Sequence, residues 1–242
     1  SLFNFAITLF KYSKILCMKP TRKQILLTND DGIESPGLWA AAEALSTLGY
    51  ATVAAPRNQS SGAGRSHPLH SDGRITPRQL QIGNQIWTAY AIGGTPAQTV
   101  MYALLDLMPH LPDLVVSGIN YGENVGNGIT ISGTVGAALE GASFGVPSLA
   151  VSLQLLDDGY LTYSPETDFA AAAHFTRFFA QCLLEHSLPA DVDVLKVDVP
   201  AHATPDTPWQ MVRVGEHRYF VPRSRRSGNL DAPGPVGYEI QI

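Results

Sequence analysis

Cysteine is scarce in this sequence: its 242 residues include Cys17 and Cys182 and no others. Two are too few for a disulfide framework, and their separation is no zinc-ligand spacing. A reducing, cytoplasmic setting is therefore expected. Positive charge is short as well. Sixteen Lys and Arg against 21 Asp and Glu leave a formal net charge of −5, which argues against a bulk basic surface for duplex nucleic acid. A small anionic substrate stays open, because a bound metal supplies local positive charge. Long apolar runs are missing too. The block Leu2 to Phe10 falls far below the ~18–20 residues of a bilayer span. Lys11 and Lys14 follow that block, whereas a secretory signal places its positive residues first. No membrane partner is expected, and residues 1–23 read as an N-terminal extension outside the core. There is no internal repeat, no heptad and no Gly-Lys-Ser/Thr of a Walker loop, and Gly62-Ala63-Gly64 is too loose for a dinucleotide fingerprint.

What is present is an alternation of buried strands and helices. Gln24 to Thr28 is a short apolar run with charge before it and turn residues after it, which predicts a buried strand. Pro36 suits a first helical position, Leu38, Ala41, Ala42, Leu45 and Leu48 recur at helical spacing, and Gly49 ends the helix. Ala51 to Ala55 is a second strand closed by Pro56. Short β-like pieces follow in Leu69 to Pro77 and in Gln79 to Ile92, with a hairpin turn at Gly83-Asn84. A helix is predicted from Pro96 to Leu107, a strand from Leu114 to Ser117, a small-residue helix from Ser132 to Phe144, and a strand from Pro147 to Leu153. A strongly periodic helix from Phe169 to Leu184 and a strand from Val192 to Val199 complete the series. The expected fold is an α/β class, a three-layer α/β/α Rossmann-like core over residues 24–200 with a mostly parallel sheet. Residues 201–242 read as a β-rich C-terminal arm, with strands at Gln210 to Val214, Tyr219 to Val221 and Val236 to Ile242.

Three loops follow the carboxyl ends of predicted parallel strands, where ligands of open α/β sheets gather. The first carries Asn29, Asp30 and Asp31, the second Asn58, Gln59, Ser60 and Ser61, the third Ser117, Asn120 and Asn124. Two adjacent carboxylates repel, and a hard divalent cation offsets that repulsion. Carboxylates, hydroxyls and amide carbonyls are oxygen donors, which suit Mg²⁺, Mn²⁺ or Ca²⁺ better than zinc. The start of the helix at Ser132-Gly133-Thr134 presents amide groups and the positive end of a helix dipole, as a phosphate site does. An ordinary N-cap at Ser132 is the alternative reading. His67 and His70 read as solvated or rim residues, and Arg223, Arg225 and Arg226 as a surface cluster. Receiver domains also carry two acids after the first strand, but the later strand offers Ser117 and Asn120 where a phosphoacceptor Asp is needed.

Together these motifs resemble the SurE family of acid phosphatases and metal-dependent nucleotidases. The resemblance rests on Ile25-Leu-Leu-Thr-Asn-Asp-Asp-Gly32, Ala55-Pro56 with Ser61, Gly94-Thr-Pro-Ala97, Val116-Ser-Gly-Ile-Asn120 with Gly122 and Asn124, and Ser132-Gly-Thr-Val-Gly-Ala-Ala-Leu-Glu-Gly141. It implies hydrolysis of nucleoside monophosphates with one divalent metal ion per subunit, Mg²⁺ or Mn²⁺, with Ca²⁺ a substitute. Asp30, Asp31, Ser61 and Asn120 would hold the metal, with Asp30 and Asp31 the catalytic pair. Asn29, Asn124, Ser132, Gly133 and Thr134 would line the phosphate pocket. It also implies a homodimer or homotetramer built through the C-terminal arm, which is shorter here than the family's pattern or incomplete. A catalytically weak nucleotide-binding protein of the same fold is the second reading.

Overall fold

The computed structural model of the chain describes residues 22–82, 84–156, 164, 167–224, 226, 228–234 and 236–240. The elements run β1 (Gln24–Thr28), α1 (Pro36–Ser46), β2 (Tyr50–Pro56), β3 (Ile75–Ile82), β4 (Gln85–Ile92), α2 (Pro96–Tyr102), β5 (Leu114–Tyr121), α3 (Gly133–Ser143), β6 (Ser148–Leu153), α4 (Ala170–Glu185), β7 (Val194–Val199), β8 (Phe220–Ser224) and β9 (Val236–Ile240). The first seven strands form one sheet in the order β3-β4-β2-β1-β5-β6-β7. All neighbours pair in parallel except β3, which folds back on β4 at the edge with Ile82 opposite Gln85.

The central strands are apolar on both faces because helices cover both. Ile25 and Leu27 of β1 pack into the layer holding α1 and α4, with Leu38, Phe175 and Phe179. Leu26 between them points the other way, toward α2 and α3, with Val100 and Ala137. This period-two division of one short run gives a three-layer α/β/α sandwich. From β1 the chain steps outward to β2 on one side. It later returns to lay β5 on the other side and continues to β6 and β7. The strand order reverses between β1 and β5, so a crevice opens at their carboxyl ends.

Several boundaries differ from expectation. β5 does not stop at Ser117 but runs to Tyr121, so Ser117 is buried within the sheet opposite Thr28 and Ala150. Gly118 carries the irregularity at a φ of +133°, and a Cβ there would stand 2.3 Å from the Val151 carbonyl. The register with β6 shifts between Ser117 and Asn120. The predicted helix Pro96 to Leu107 is α-helical only to Tyr102, and Ala103–Leu107 forms a wider π turn that buries Ala103, Leu104 and Met108 together. Gln210 to Val214 is not a strand. No pairing partner reaches it among the described residues, and Met211, Val212 and Val214 are exposed, while Trp209 packs on the rings of Phe178 and Phe179. β8 and β9 make a separate antiparallel hairpin. The extension, apart from Arg22 and Lys23, lies outside the described residues, as do Gly83, Arg225 and residues 241–242. Arg22 donates to the Ser46 carbonyl and Lys23 pairs with Asp113.

α1 approaches β5 closely through Gly37, where a Cβ would lie 2.2 Å from the Ile119 carbonyl oxygen and 3.0 Å from the Phe169 ring. Alanine in a helix gains up to about 1 kcal/mol of propensity over glycine, but forcing α1 from the sheet costs about 1–3 kcal/mol or more. Gly37→Ala is predicted to lower the urea midpoint of unfolding. A midpoint equal to or above that of the parent would show that the contact does not constrain the helix.

Candidate functional site

The crevice between β1 and β5 is built on a turn that only certain residues permit. After Thr28 the chain reverses at Gly32, whose φ is +98°, a conformation open to glycine. Asn29 closes this turn: its amide nitrogen donates to the Gly32 carbonyl at 3.0 Å and its amide oxygen accepts from the Gly32 N–H at 3.2 Å. Both polar groups of that buried side chain are thus engaged with the turn. The Ser60 N–H donates to the Asp30 carbonyl at 2.7 Å, and the Ile33 N–H to the Pro56 carbonyl at 2.9 Å. These bonds join the loop after β1 to the loop after β2.

Asp30 and Asp31 are both buried, at 4% and 5% exposure. The Asp30 carboxylate accepts from the Thr134 hydroxyl and from the backbone N–H groups of Gly133 and Thr134. Glycine at 133 is required there, because a Cβ would stand 2.7 Å from both Cβ and Oδ2 of Asp30. The anion at the start of α3 is therefore the protein's own carboxylate. The remaining N–H groups of that helix start go to the Ser132 side chain and carbonyl. Asp31 Oδ2 accepts from the Tyr121 N–H at 3.2 Å, and the Gln59 side chain also bonds to it. Burial pushes the Asp30 carboxyl up against these donors. Burial, and then the neighbouring Asp30 charge, push Asp31 up to about 8.

Asn120 lies within β5, next to the Tyr121 whose N–H donates to Asp31. Its amide nitrogen donates to the carbonyls of Tyr121 at 3.1 Å and Gly122 at 2.7 Å, which leaves the amide oxygen as its remaining acceptor. Ser61 lies on the exposed loop after β2 and accepts from Gln59 Nε2 at 3.0 Å. Gln59, bonded to both Ser61 and Asp31, links this hydroxyl to the acidic pair. The residues fit a hard cation by their chemistry: two desolvated carboxylates with raised pKa, an oriented amide oxygen and a hydroxyl. Among the described residues no group of three or more His, Cys, Asp or Glu is placed to hold a metal, so neutral oxygens would have to complete the set.

Asn124 sits at the far wall. Its amide oxygen accepts from Ser132 Oγ at 2.5 Å and Ser152 Oγ at 3.3 Å, and Ser132 Oγ in turn accepts from the Val135 N–H as N-cap of α3. The Asn124 N–H donates to Asp198, which also holds Lys196 at 2.7 Å. Burial draws the Lys196 ammonium down from its usual range, against the pull of Asp198. Next to it, buried Glu123 accepts from the Tyr219 hydroxyl at 2.9 Å. Gly126 and Asn127 meet the His217 carbonyl, so the root of the C-terminal arm closes this wall. His67 pairs with Glu140 together with Arg65, which binds the loop after β2 onto α3.

Of the residues expected here, Thr134 meets Asp30, Ser132 meets Asn124, and Ser61 is joined to Asp31 through Gln59, a link that sequence reasoning missed along with the Lys196–Asp198 and Glu123–Tyr219 pairs. Gln59 stood in the same loop and could have been found there. Lys196 and Asp198 stand two apart on one face of β7 and could have been paired from the sequence, whereas Glu123 and Tyr219 are 96 residues apart and carry no local signal. A larger cavity of about 940 Å³ lies at the opposite edge of the sheet, where Lys23, Asp113 and Pro147 begin their strands, away from the acids.

The family described as survival protein SurE matches residues 25–221. A protein named 5′-nucleotidase SurE from Methanocella arvoryzae is 41% identical over 232 residues, covering 90% of this chain and 86% of the relative. One of the same name from Thermococcus gammatolerans is 45% identical over 197 residues, covering 81% and 72%. A crystal structure of the SurE protein from Aquifex aeolicus superposes with a TM-score of 0.70 at 30% identity, covering 90% of this chain and 82% of that one.

The acidic pair makes a stability prediction. A carboxyl whose folded pKa lies above its unfolded value binds more protons in the native state, so stability is full below about pH 4 and is lost as pH rises toward 8. In chelated protein, Asp31→Asn is predicted to raise stability at pH 8 by on the order of 2 kcal/mol and to leave it unaltered near pH 4. Urea titrations at the two pH values check this. A variant less stable than the parent at pH 8 would show that the two charges do not strain the fold.

Proposed function

Because the chain belongs to the SurE family, we propose that it is a phosphomonoesterase, a 5′-nucleotidase that releases phosphate from nucleoside monophosphates with the help of one divalent cation, Mg²⁺ or Mn²⁺. The observation that carries this reading is the burial of two adjacent carboxylates, Asp30 and Asp31, where the strand order reverses, with Asp31 bonded to the end of β5 through the Tyr121 N–H. Asp30, Asp31, Asn120 and Ser61 would hold the cation, which when bound supplies charge neutralisation and polarisation of the phosphoryl group.

The chain's own groups do the rest. Thr134 and the first amides of α3 fix the Asp30 carboxylate in one orientation. The Tyr121 N–H and Gln59 fix Asp31. One of the two carboxylates accepts the proton of the attacking water. Asn124 and Ser132 form the wall against which the phosphoryl group is oriented, and Asn29 holds the acidic turn in shape. No His or Cys lies among these residues, which supports direct attack by water over a phospho-His or phospho-Cys intermediate. A homodimer or homotetramer and a cytoplasmic location belong to the same reading. The apolar side chains exposed on the hairpin and its connection, Leu230, Val236, Tyr238 and Ile240, support the first. The free thiol of Cys182 supports the second. No helix of the described residues is long and apolar enough to cross a membrane.

Phosphate release from adenosine 5′-monophosphate is predicted with added Mg²⁺ or Mn²⁺ and is predicted to vanish under a chelator. Asp31→Ala should lower kcat by about a hundredfold or more, the loss expected when a group holding the cation is removed. Turnover that survives chelation and the substitution would sink the proposal, and nucleotide binding without turnover would favour a binding protein of the same fold.

A further inference from the structure

Beside the acidic pair a groove of about 420 Å³ opens between residues 57–60 and 70–72, with Gly93 and Gly94 along its floor. That volume falls within the ~300–1,000 Å³ of small-molecule pockets. The groove adjoins the acids through the backbone: Ser60 lines it and donates its N–H to the Asp30 carbonyl, and Gln59 lines it and bonds to Asp31. A group esterified to a phosphate at the acids therefore has this cavity as its neighbour.

The outer wall is fixed. Ser71 Oγ donates to Gln98 Oε1 at 2.6 Å, and Gln98 Nε2 donates to the Pro68 carbonyl at 2.9 Å. Gly73 and Gly93 are joined by a backbone bond of 2.9 Å, and Gly93 bonds to the Arg74 carbonyl at 3.0 Å. On this wall Asp72 lies over Gly93, in the space a side chain at that position would fill: a Cβ there would be 1.7 Å from Asp72 Oδ1. The Arg74 N–H reaches Asp72 Oδ1 and Arg57 Nη2 reaches Oδ2, each at 3.1 Å. These donors hold the Asp72 carboxyl below the usual carboxylate range. A carboxylate accepts about four hydrogen bonds, so each oxygen keeps room for another donor, and the side chain is 47% exposed.

Given the nucleotidase function proposed above, we infer that this groove holds the nucleoside part of the substrate, with Asp72 accepting hydrogen bonds from the ribose hydroxyls. A vicinal diol offers two donors side by side, and a fixed carboxylate is the group that reads ribose in other α/β sites. Among the described residues His70 contributes the only ring to the lining, beside Ile92, two glycines and polar side chains. The base has a single flat partner there, so the sugar, more than the base, is what this groove discriminates.

The test compares kcat/KM for adenosine 5′-monophosphate, its 2′-deoxy counterpart and p-nitrophenyl phosphate, in the parent protein, Asp72→Ala and Asp72→Asn. The parent is expected to prefer the ribonucleotide over the deoxynucleotide by about tenfold, the worth of one hydrogen bond to a charged acceptor. In Asp72→Ala that ratio is expected to fall to about one, and Asp72→Asn, which keeps one acceptor oxygen and the side-chain shape, to lie between. The loss should appear in KM for the ribonucleotide. A parent ratio of one, or a preference that persists in Asp72→Ala, overturns the inference while leaving the nucleotidase function standing. Hydrolysis of p-nitrophenyl phosphate without hydrolysis of either nucleotide overturns both.

Discussion

Asp30 and Asp31 put two carboxylates, adjacent in sequence, into a crevice that excludes nearly all solvent. Left to themselves the pair would protonate or pull the turn apart, because desolvation and mutual repulsion both oppose ionisation. The surrounding structure is arranged around that constraint. α3 points its first amides at Asp30, Thr134 adds a hydroxyl, and β5 supplies the Tyr121 N–H to Asp31. Glycines stand wherever these elements must approach: at 37 between α1 and β5, and at 133 between α3 and Asp30. The donors narrow the electrostatic penalty without removing it, since Asp31 stays raised to about 8. That residual imbalance is the reason the proposed divalent cation would be a favourable guest.

The parts of this arrangement that were legible in the sequence share a physical property: they are local. β1 could be read because Ile25, Leu26 and Leu27 are apolar between Lys23 and Thr28-Asn29. α1 could be read from Pro36 and its helical spacing. The acidic pair was legible as a candidate site because a strand end in a parallel sheet is where ligands bind. The end of β5 was not. Gly118 reads as a stop, and only the packing of Val151 and the shifted register with β6 carry the strand past it. Gln210 to Val214 failed for the opposite reason. Its sequence suits a strand, but a strand needs a neighbour, and Trp209 docks the segment on α4 instead.

The start of α3 shows how one signal can have two meanings. Ser132-Gly133-Thr134 was readable as an anion site, and an anion is there, but it is Asp30. Ser132 is also the ordinary N-cap, bonded to the Val135 N–H. Neither fact contradicts a phosphate nearby. The helix start organises the acid, and the acid with its cation would then organise the phosphate. The Tyr219–Glu123 bond is equally informative about the arm: its root is part of the wall that carries Asn124, not an appendage to a finished domain.

Thr134 stands 104 residues after Asp30, and Tyr121 stands 90 after Asp31. A chain made from its N terminus completes β1, α1 and β2 long before either partner exists. Until then the two acids must remain in water, and the crevice cannot close on them. Contacts so distant in sequence form slowly, since the intervening loop loses its entropy before they reward it. The centre of this protein therefore cannot form before β5 and the start of α3 have been made. The growing chain carries its acids 104 and 90 residues ahead of the groups that orient them.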